Sequence, residues 1–211
     1  MNELIPRGDL LPNISAEEFK EAVSSSTYLP RIQIIDPKSK LSVKKIVPAG
    51  NYALVRGKED ADDLTSEFDA IVCGMRWKAL DTNGETPLTV FDKSSQAFKE
   101  IEAKSAIKDS GCMWGPEFLL WVASMKKYAT FFCSSKTSRR EATNIYDLIA
   151  SAATFKINLI ETKQYTWYGP SVVPCSAPFE IPPVEEIKAE VARFNNPEIS
   201  VTAAPEAERE R

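Results

Sequence analysis

Histidine is absent from all 211 positions of the chain. That absence removes the commonest general base, the serine–histidine and cysteine–histidine nucleophile pairs, and most transition-metal sites together. Close cysteine pairs are absent too. Cys73, Cys112, Cys133 and Cys175 stand 39, 21 and 42 positions apart. With no C-x-x-C pair, the expectation is reduced, mostly buried thiols and not a zinc site. No apolar run nears the roughly 20 residues that span a bilayer. The opening "MNELIPRGDLLPNISAEEF" has no basic-then-apolar signal layout, so a cytoplasmic location is expected. Neither a Walker-type glycine-rich loop nor a G-x-S-x-G elbow occurs. The acidic "EDADD" lacks the glycine and closing glutamate of an EF-hand loop and reads as a solvated turn. These absences argue against an enzyme, and no cofactor or metal is expected.

What is present is an ordinary core-forming composition with an unusual distribution of charge. At 43% hydrophobic and 27% charged residues the chain reads as a soluble globular protein. Its net charge of −4 hides a division, because residues 180–211 alone carry −4 and the rest sums to zero. Within that rest, residues 31–58 hold seven bases and one acid, and the following "EDADDLTSEFD" holds six acids and no base. Charge is segregated along the chain.

Three regions follow from the patterning. Residues 1–27 read as an arm, with Ser15 and Glu18 forming a capping-box pattern for a short helix over 16–23. Residues 28–178 are dominated by strand signals. "RIQIID" alternates, and "KLSVKKIV" and "NYALVRG" are short β-favourable runs. "FDAIVCGMRWKALD" is the clearest strand, with Ile71, Cys73, Met75 and Trp77 expected on one face and Val72, Arg76, Lys78 and Leu80 on the other. "DTNGET" is a hairpin turn into "PLTVFD", and "SSQAFKEIEAKSAIKDSG" is a helix or long excursion. "EFLLWVASMKKYATFFCSS" reads as two strands around "SMKK", a helix over 117–127 being the alternative. Ser138 and Glu141 form a second capping box, opening a helix with Ala142, Ile145, Leu148, Ile149 and Ala152 on its apolar face. "FKINLIETKQYTWYGPSVV" is expected as one long strand bent near Glu161. Residues 179–211 read as a linker, a short amphipathic helix bearing Val184, Ile187, Val191 and Phe194, and an acidic flexible tail. The expected fold is mainly β with added helices, an OB-like β-barrel; another α+β layout or a β-sandwich is the alternative.

Arg139 and Arg140 then stand at the expected helix start, where the peptide dipoles disfavour cations. A bound anion would justify them, and phosphate is the commonest candidate. Other cations alternate with rings at Arg76-Trp77-Lys78, Lys126-Lys127-Tyr128 and Lys163-Gln164-Tyr165-Thr166-Trp167-Tyr168. Single-stranded nucleic acid is bound by that combination, because a cationic groove follows the phosphates while flat side chains accept unstacked bases. Trp114 and Trp121 lie in apolar surroundings and are expected in the core.

On these residues the layout resembles the single-stranded DNA-binding proteins of bacteriophages. The resemblance covers residues 28–211 as architecture: a β-barrel, interleaved cations and rings, and an acidic C-terminal extension. It implies phosphate contacts at Arg76, Lys78, Lys136, Arg139, Arg140 and Lys163, with Trp77, Tyr165 and Trp167 as stacking surfaces. It also implies single-stranded DNA as partner, a role in replication or recombination, and replication or recombination proteins meeting the tail in the host-cell cytoplasm. The tail departs from that pattern, since "ERER" alternates in sign. A protein-interaction or virion structural module, with its basic patches on an acidic protein surface, is the second expectation.

Overall fold

The computed structural model describes residues 29–162, 165–175 and 179–196. The expected helix over 16–23, Lys163 and the tail beyond 196 lie outside the described residues. The described chain runs β1 (Arg31–Ile34), α1 (Lys40–Val43), β2 (Tyr52–Val55), β3 (Ala61–Thr65), β4 (Glu67–Asp81), β5 (Leu88–Val90), α2 (Gln96–Lys104), β6 (Cys112–Val122), β7 (Lys127–Phe132), α3 (Lys136–Asp147), β8 (Ala152–Glu161), β9 (Thr166–Pro174) and α4 (Val184–Asn195). The fold is mainly β, one mixed nine-stranded sheet with helices packed on it.

The 15-residue β4 organises the sheet. One edge pairs antiparallel with β6 from Ala70 to Asp81; the other pairs with β8 near its start and with β5 near its end. β6 turns into β7 through the expected "SMKK" turn. In space these four strands lie in the order β8-β4-β6-β7, each antiparallel to its neighbour. That is a Greek key, and α3 occupies the long connection from its third strand to its fourth. β9 adds a fifth strand beside β8. On the far side β1 joins β7 in parallel and carries β2 and β3 outward.

The sheet curls on itself. Tyr52 Oη of β2 donates to the Lys156 carbonyl of β8 at 3.0 Å, and the Tyr52 ring meets Phe68 of β4 edge-on at 4.9 Å. Phe118, Phe131 and Phe155 fill the interior, and α3 closes it with Ala142 and Ile145. No ladder joins β3 to β9 among the described residues, so the curl stays open. No helix among them is long and apolar enough to cross a membrane.

Four expectations change. Along β4, Val72 pairs with Leu120 but Gly74 pairs with Leu119, so Cys73 is a bulged extra residue. One inserted residue swaps every later side chain to the other face. Ile71 and Cys73 therefore face α4, while Met75 packs into the interior and Trp77 packs with Trp114 and Phe98. "KLSVKKIV" is not a strand. Ser39 Oγ accepts from Leu41 N and caps the single turn α1, and Leu41 buries against Ile35, Val47 and Ala53. The expected bent strand is two antiparallel strands, β8 and β9, paired from Ala153 with Pro174 to Glu161 with Thr166. Finally, α3 begins three residues early. Ser135 is its N-cap, with Ser138 N donating to Ser135 Oγ and Ser135 N to Ser138 Oγ, both at 3.0 Å. Glu141 accepts from Val172 N at 2.6 Å and pins β9 instead, while Ile149 and Ala152 fall beyond the helix end.

Candidate nucleic-acid interface

The earlier cap moves Arg139 and Arg140 into the second turn of α3, where the dipole penalty has faded. The two side chains then differ. Arg139 donates to the carbonyls of Trp114 (3.0 Å) and Ser134, and its guanidinium lies 4.9 Å from the Trp114 ring centre. Arg140 and Lys136 are exposed. Beside them Trp167 Nε1 donates to Thr137 Oγ1 at 3.1 Å, which seats the β9 indole on the first turn of α3. Tyr165 follows at the hairpin tip, 71% exposed, held by its amide on Thr162 Oγ1. In the other direction the Trp114 ring meets Trp77 at 6.1 Å, and Lys93 Nζ stands 3.7 Å over Trp77.

These residues form one ridge. It is linked by Trp167 on Thr137, Arg139 on Trp114, Trp114 on Trp77 and Lys93 on Trp77, with Tyr165 two residues before Trp167 and Lys136 and Arg140 on the same helix as Arg139. The hairpin β8–β9 and α3 position its first half. α2, through Phe98 against Trp114, positions the second. Lys93 was not singled out from sequence, and Trp114, expected in the core, is half-buried with its ring against Trp77 and Phe98.

Arg139→Ala should lower stability by about 2 kcal/mol, because it removes a charged donor from two carbonyls. Arg140→Ala should stay within about 0.5 kcal/mol of the parent while weakening oligonucleotide binding. Urea denaturation and fluorescence anisotropy on the two single variants separate the roles. Equal stability losses would make both arginines structural.

Arg76 and Lys78 lie on the opposite face of β4 from Trp77, as alternation requires, and the bulge makes that face the one toward α4. Both meet Glu117 of β6, whose side chain is 1% exposed: Arg76 Nε donates to Oε2 at 2.8 Å and Lys78 Nζ to Oε1 at 2.7 Å. The Arg76 guanidinium is clamped between the Phe91 and Phe194 rings, 3.8 and 4.1 Å from their centres, and donates to the Phe194 carbonyl. Lys78 Nζ stands 5.1 Å from the Phe132 ring centre. An isolated acid in the apolar run "GPEFLLWV" was the signal for this cluster.

The rest of that face lies under α4. Ile187, Val191 and Phe194 pack on Ile71, Cys73, Leu119, Trp121 and Tyr128. The Trp121 and Tyr128 rings are 4.8 Å apart. Trp121 Nε1 and Tyr128 Oη are buried with no hydrogen-bond partner among the described residues, each at a cost of about 1–3 kcal/mol. Burial first, then the nearby Glu186 charge, pushes the Tyr128 phenol above its ordinary value. A groove of about 500 Å³ opens between α4 and the β6–β7 turn, lined by Trp121, Lys126, Lys127, Tyr128, Glu186 and Arg193. A smaller cleft of about 260 Å³ lies between β1, the α3 cap and Trp167.

The acidic "EDADD" works locally. Asp60 and Asp62 both bind Arg56, whose hydrogen bonds hold the two carboxyls below the usual range, and Asp63 accepts from Asn51. Among the described residues no group of three or more cysteines, aspartates or glutamates is placed to hold a metal ion. No family model, curated protein or solved structure matches this chain, so its function has to be read from its own residues.

Proposed function

We propose that the chain is a non-catalytic, sequence-tolerant single-stranded DNA-binding protein of replication or recombination, similar in kind to those of bacteriophages. The ridge carries this reading. Exposed Lys136, Arg140 and Lys93 stand with the half-buried rings of Trp167, Trp114 and Trp77 and the exposed ring of Tyr165, the two chemistries that a strand's phosphates and unstacked bases require. The Greek key supports it. Five antiparallel strands, β4, β6, β7, β8 and β9, with a helix in the long connection and an open seam, fit the partly open barrel of the OB type. Along the ridge Lys136, Arg139 and Arg140 meet phosphates while Tyr165, Trp167 and Trp77 offer stacking surfaces. Arg76 and Lys78 are held by Glu117 and belong to the other face.

The test is a titration of labelled oligo-dT and of duplex at about 50 and 200 mM salt, with log affinity falling by about 0.7 per neutralised phosphate for each unit of log salt. Single strands should bind better than duplex, and tryptophan fluorescence should quench. Equal binding to both forms, or none at low salt, defeats the proposal. In that case the same cations meeting an acidic protein partner become the better reading.

A further inference from the structure

We propose that the cleft between β1, the α3 cap and β9 is a base slot that takes one guanine of the bound strand. This rests on the reading of the chain as a single-strand binder, and gives that otherwise sequence-tolerant surface one position with a preference.

The cleft exists because two strands part. The parallel ladder of β1 and β7 ends at Ile32 with Phe131, and the Phe132 carbonyl accepts from Ser134 N at 3.1 Å. The chain then enters the α3 cap at Ser135, while β1 continues to Ile34. β9 walls the gap with Trp167, Tyr168 and Pro170. Tyr168 holds its place by a close approach to the turn before β2. A Cβ on Gly50, whose φ is +80°, would lie 2.9 Å from the Tyr168 ring. The volume, about 260 Å³, is below the roughly 300–1,000 Å³ of sites for drug-sized ligands and fits a single planar base.

Its lining sorts by chemistry. Trp167, Tyr168 and Phe132 supply flat apolar surface, and Gln33 and Asp36 supply a polar edge. An extruded base is read by that combination, rings on its faces and hydrogen bonds on its pairing edge. Trp167 also belongs to the ridge, and exposed Lys136 directly follows the lining Ser135. A strand held on the ridge therefore passes beside the cleft.

Asp36 selects the base. A carboxylate repels phosphates, so on a strand-binding surface its use is to accept from base N–H groups. Asp36 Oδ1 accepts from Lys38 N at 2.9 Å, and Oδ2 bonds none of the described residues. Gln33 is half-buried, and its side-chain amide bonds none of them either. Guanine presents two adjacent donors, N1–H and the N2 amino group, beside the O6 acceptor. The carboxylate accepts from the two donors, and the glutamine amide donates to O6. Thymine sets a single donor between two carbonyls, and adenine and cytosine set an amino group beside a ring acceptor, so each turns at least one lone pair toward the carboxylate. Asp36 is exposed, so water competes and the preference falls at the low end of what a bidentate base contact gives.

The test is fluorescence anisotropy of the full chain with labelled oligo-dT, and with the same oligonucleotide carrying one central dG, dA or deoxyinosine. One dG should tighten binding about fivefold. Deoxyinosine, which lacks the N2 amino group, and dA should both stay within about twofold of oligo-dT. Asp36→Asn keeps an acceptor for Lys38 N and should bring the ratio of dG to dT affinities to about one. The slot is overturned if oligo-dT binds and one dG adds nothing, or if dA gains as much as dG through stacking alone. It is overturned too if the asparagine variant keeps the preference. In each of those cases the single-strand reading stands. If none of the oligonucleotides binds, that reading falls and the inference with it.

Discussion

Glu117→Ala is expected to lower the unfolding free energy by about 3 kcal/mol, the lower end of what removing one partner of a buried ionic cluster costs. The carboxylate is 1% exposed and serves two cations, Arg76 and Lys78, whose side chains are 16% and 21% exposed. Without it both charges face each other across one alternate position of β4, in apolar surroundings, with no acid between them. The residual exposure of the cations keeps the loss at the lower end, since water can reach them. Urea denaturation followed by circular dichroism checks the value. Adding Arg76→Leu and Lys78→Leu to Glu117→Leu should recover much of the loss, because the charges then leave together. A loss below about 1 kcal/mol for the single alanine variant would mean that the cluster behaves like an exposed ion pair.

Much of the sheet was legible because strands announce themselves locally. β4, the β6–β7 hairpin and the turn into β5 all follow from alternation and turn residues. The apolar stripe of α4 predicted its docked side, apart from Val184. What alternation cannot show is an inserted residue. Nothing in "IVCGM" tells that Cys73 is bulged, and that single residue decides that Arg76 comes to the α4 side of the sheet while Met75 and Trp77 turn to the other. Cap competition was the second loss. "SSKTSRRE" offers Ser135, Thr137 and Ser138 as caps, and the Ser135–Ser138 pair forms because Glu141 has a better use on Val172 N. The third was partnership across distance. Arg76 and Glu117 are 41 positions apart, and only the β4–β6 register makes them neighbours. The described part of the acidic C-terminal region docks on β4, β6 and β7, on the Arg76 side of the sheet.

Gly115→Ala should cost about 3 kcal/mol, the upper end of overpacking, because the clash is with backbone. A Cβ built at Gly115 would lie 2.1 Å from the Cys133 carbonyl oxygen. That carbonyl cannot swing aside, since Cys133 N is bonded to the Pro116 carbonyl at 2.9 Å and the next residues lead straight into the α3 cap. The same Cβ would stand 3.4 Å from Arg139 Cγ, so relief by moving the strand end also moves the arginine off the Trp114 and Ser134 carbonyls. For a chain of this size the expected fall in Tm is about 6–12 °C, at about 2–4 °C per kcal/mol. Gly57→Ala is the control, because its nearest neighbour, Asp60 Cβ, lies 3.7 Å away. It should leave Tm unchanged. The functional consequence is local: Gly115→Ala should weaken oligo-dT binding on the ridge, through Arg139 and Trp114, at temperatures where the sheet is still folded. If the variant melts far lower yet binds oligo-dT as the parent does, the ridge is not the contact surface.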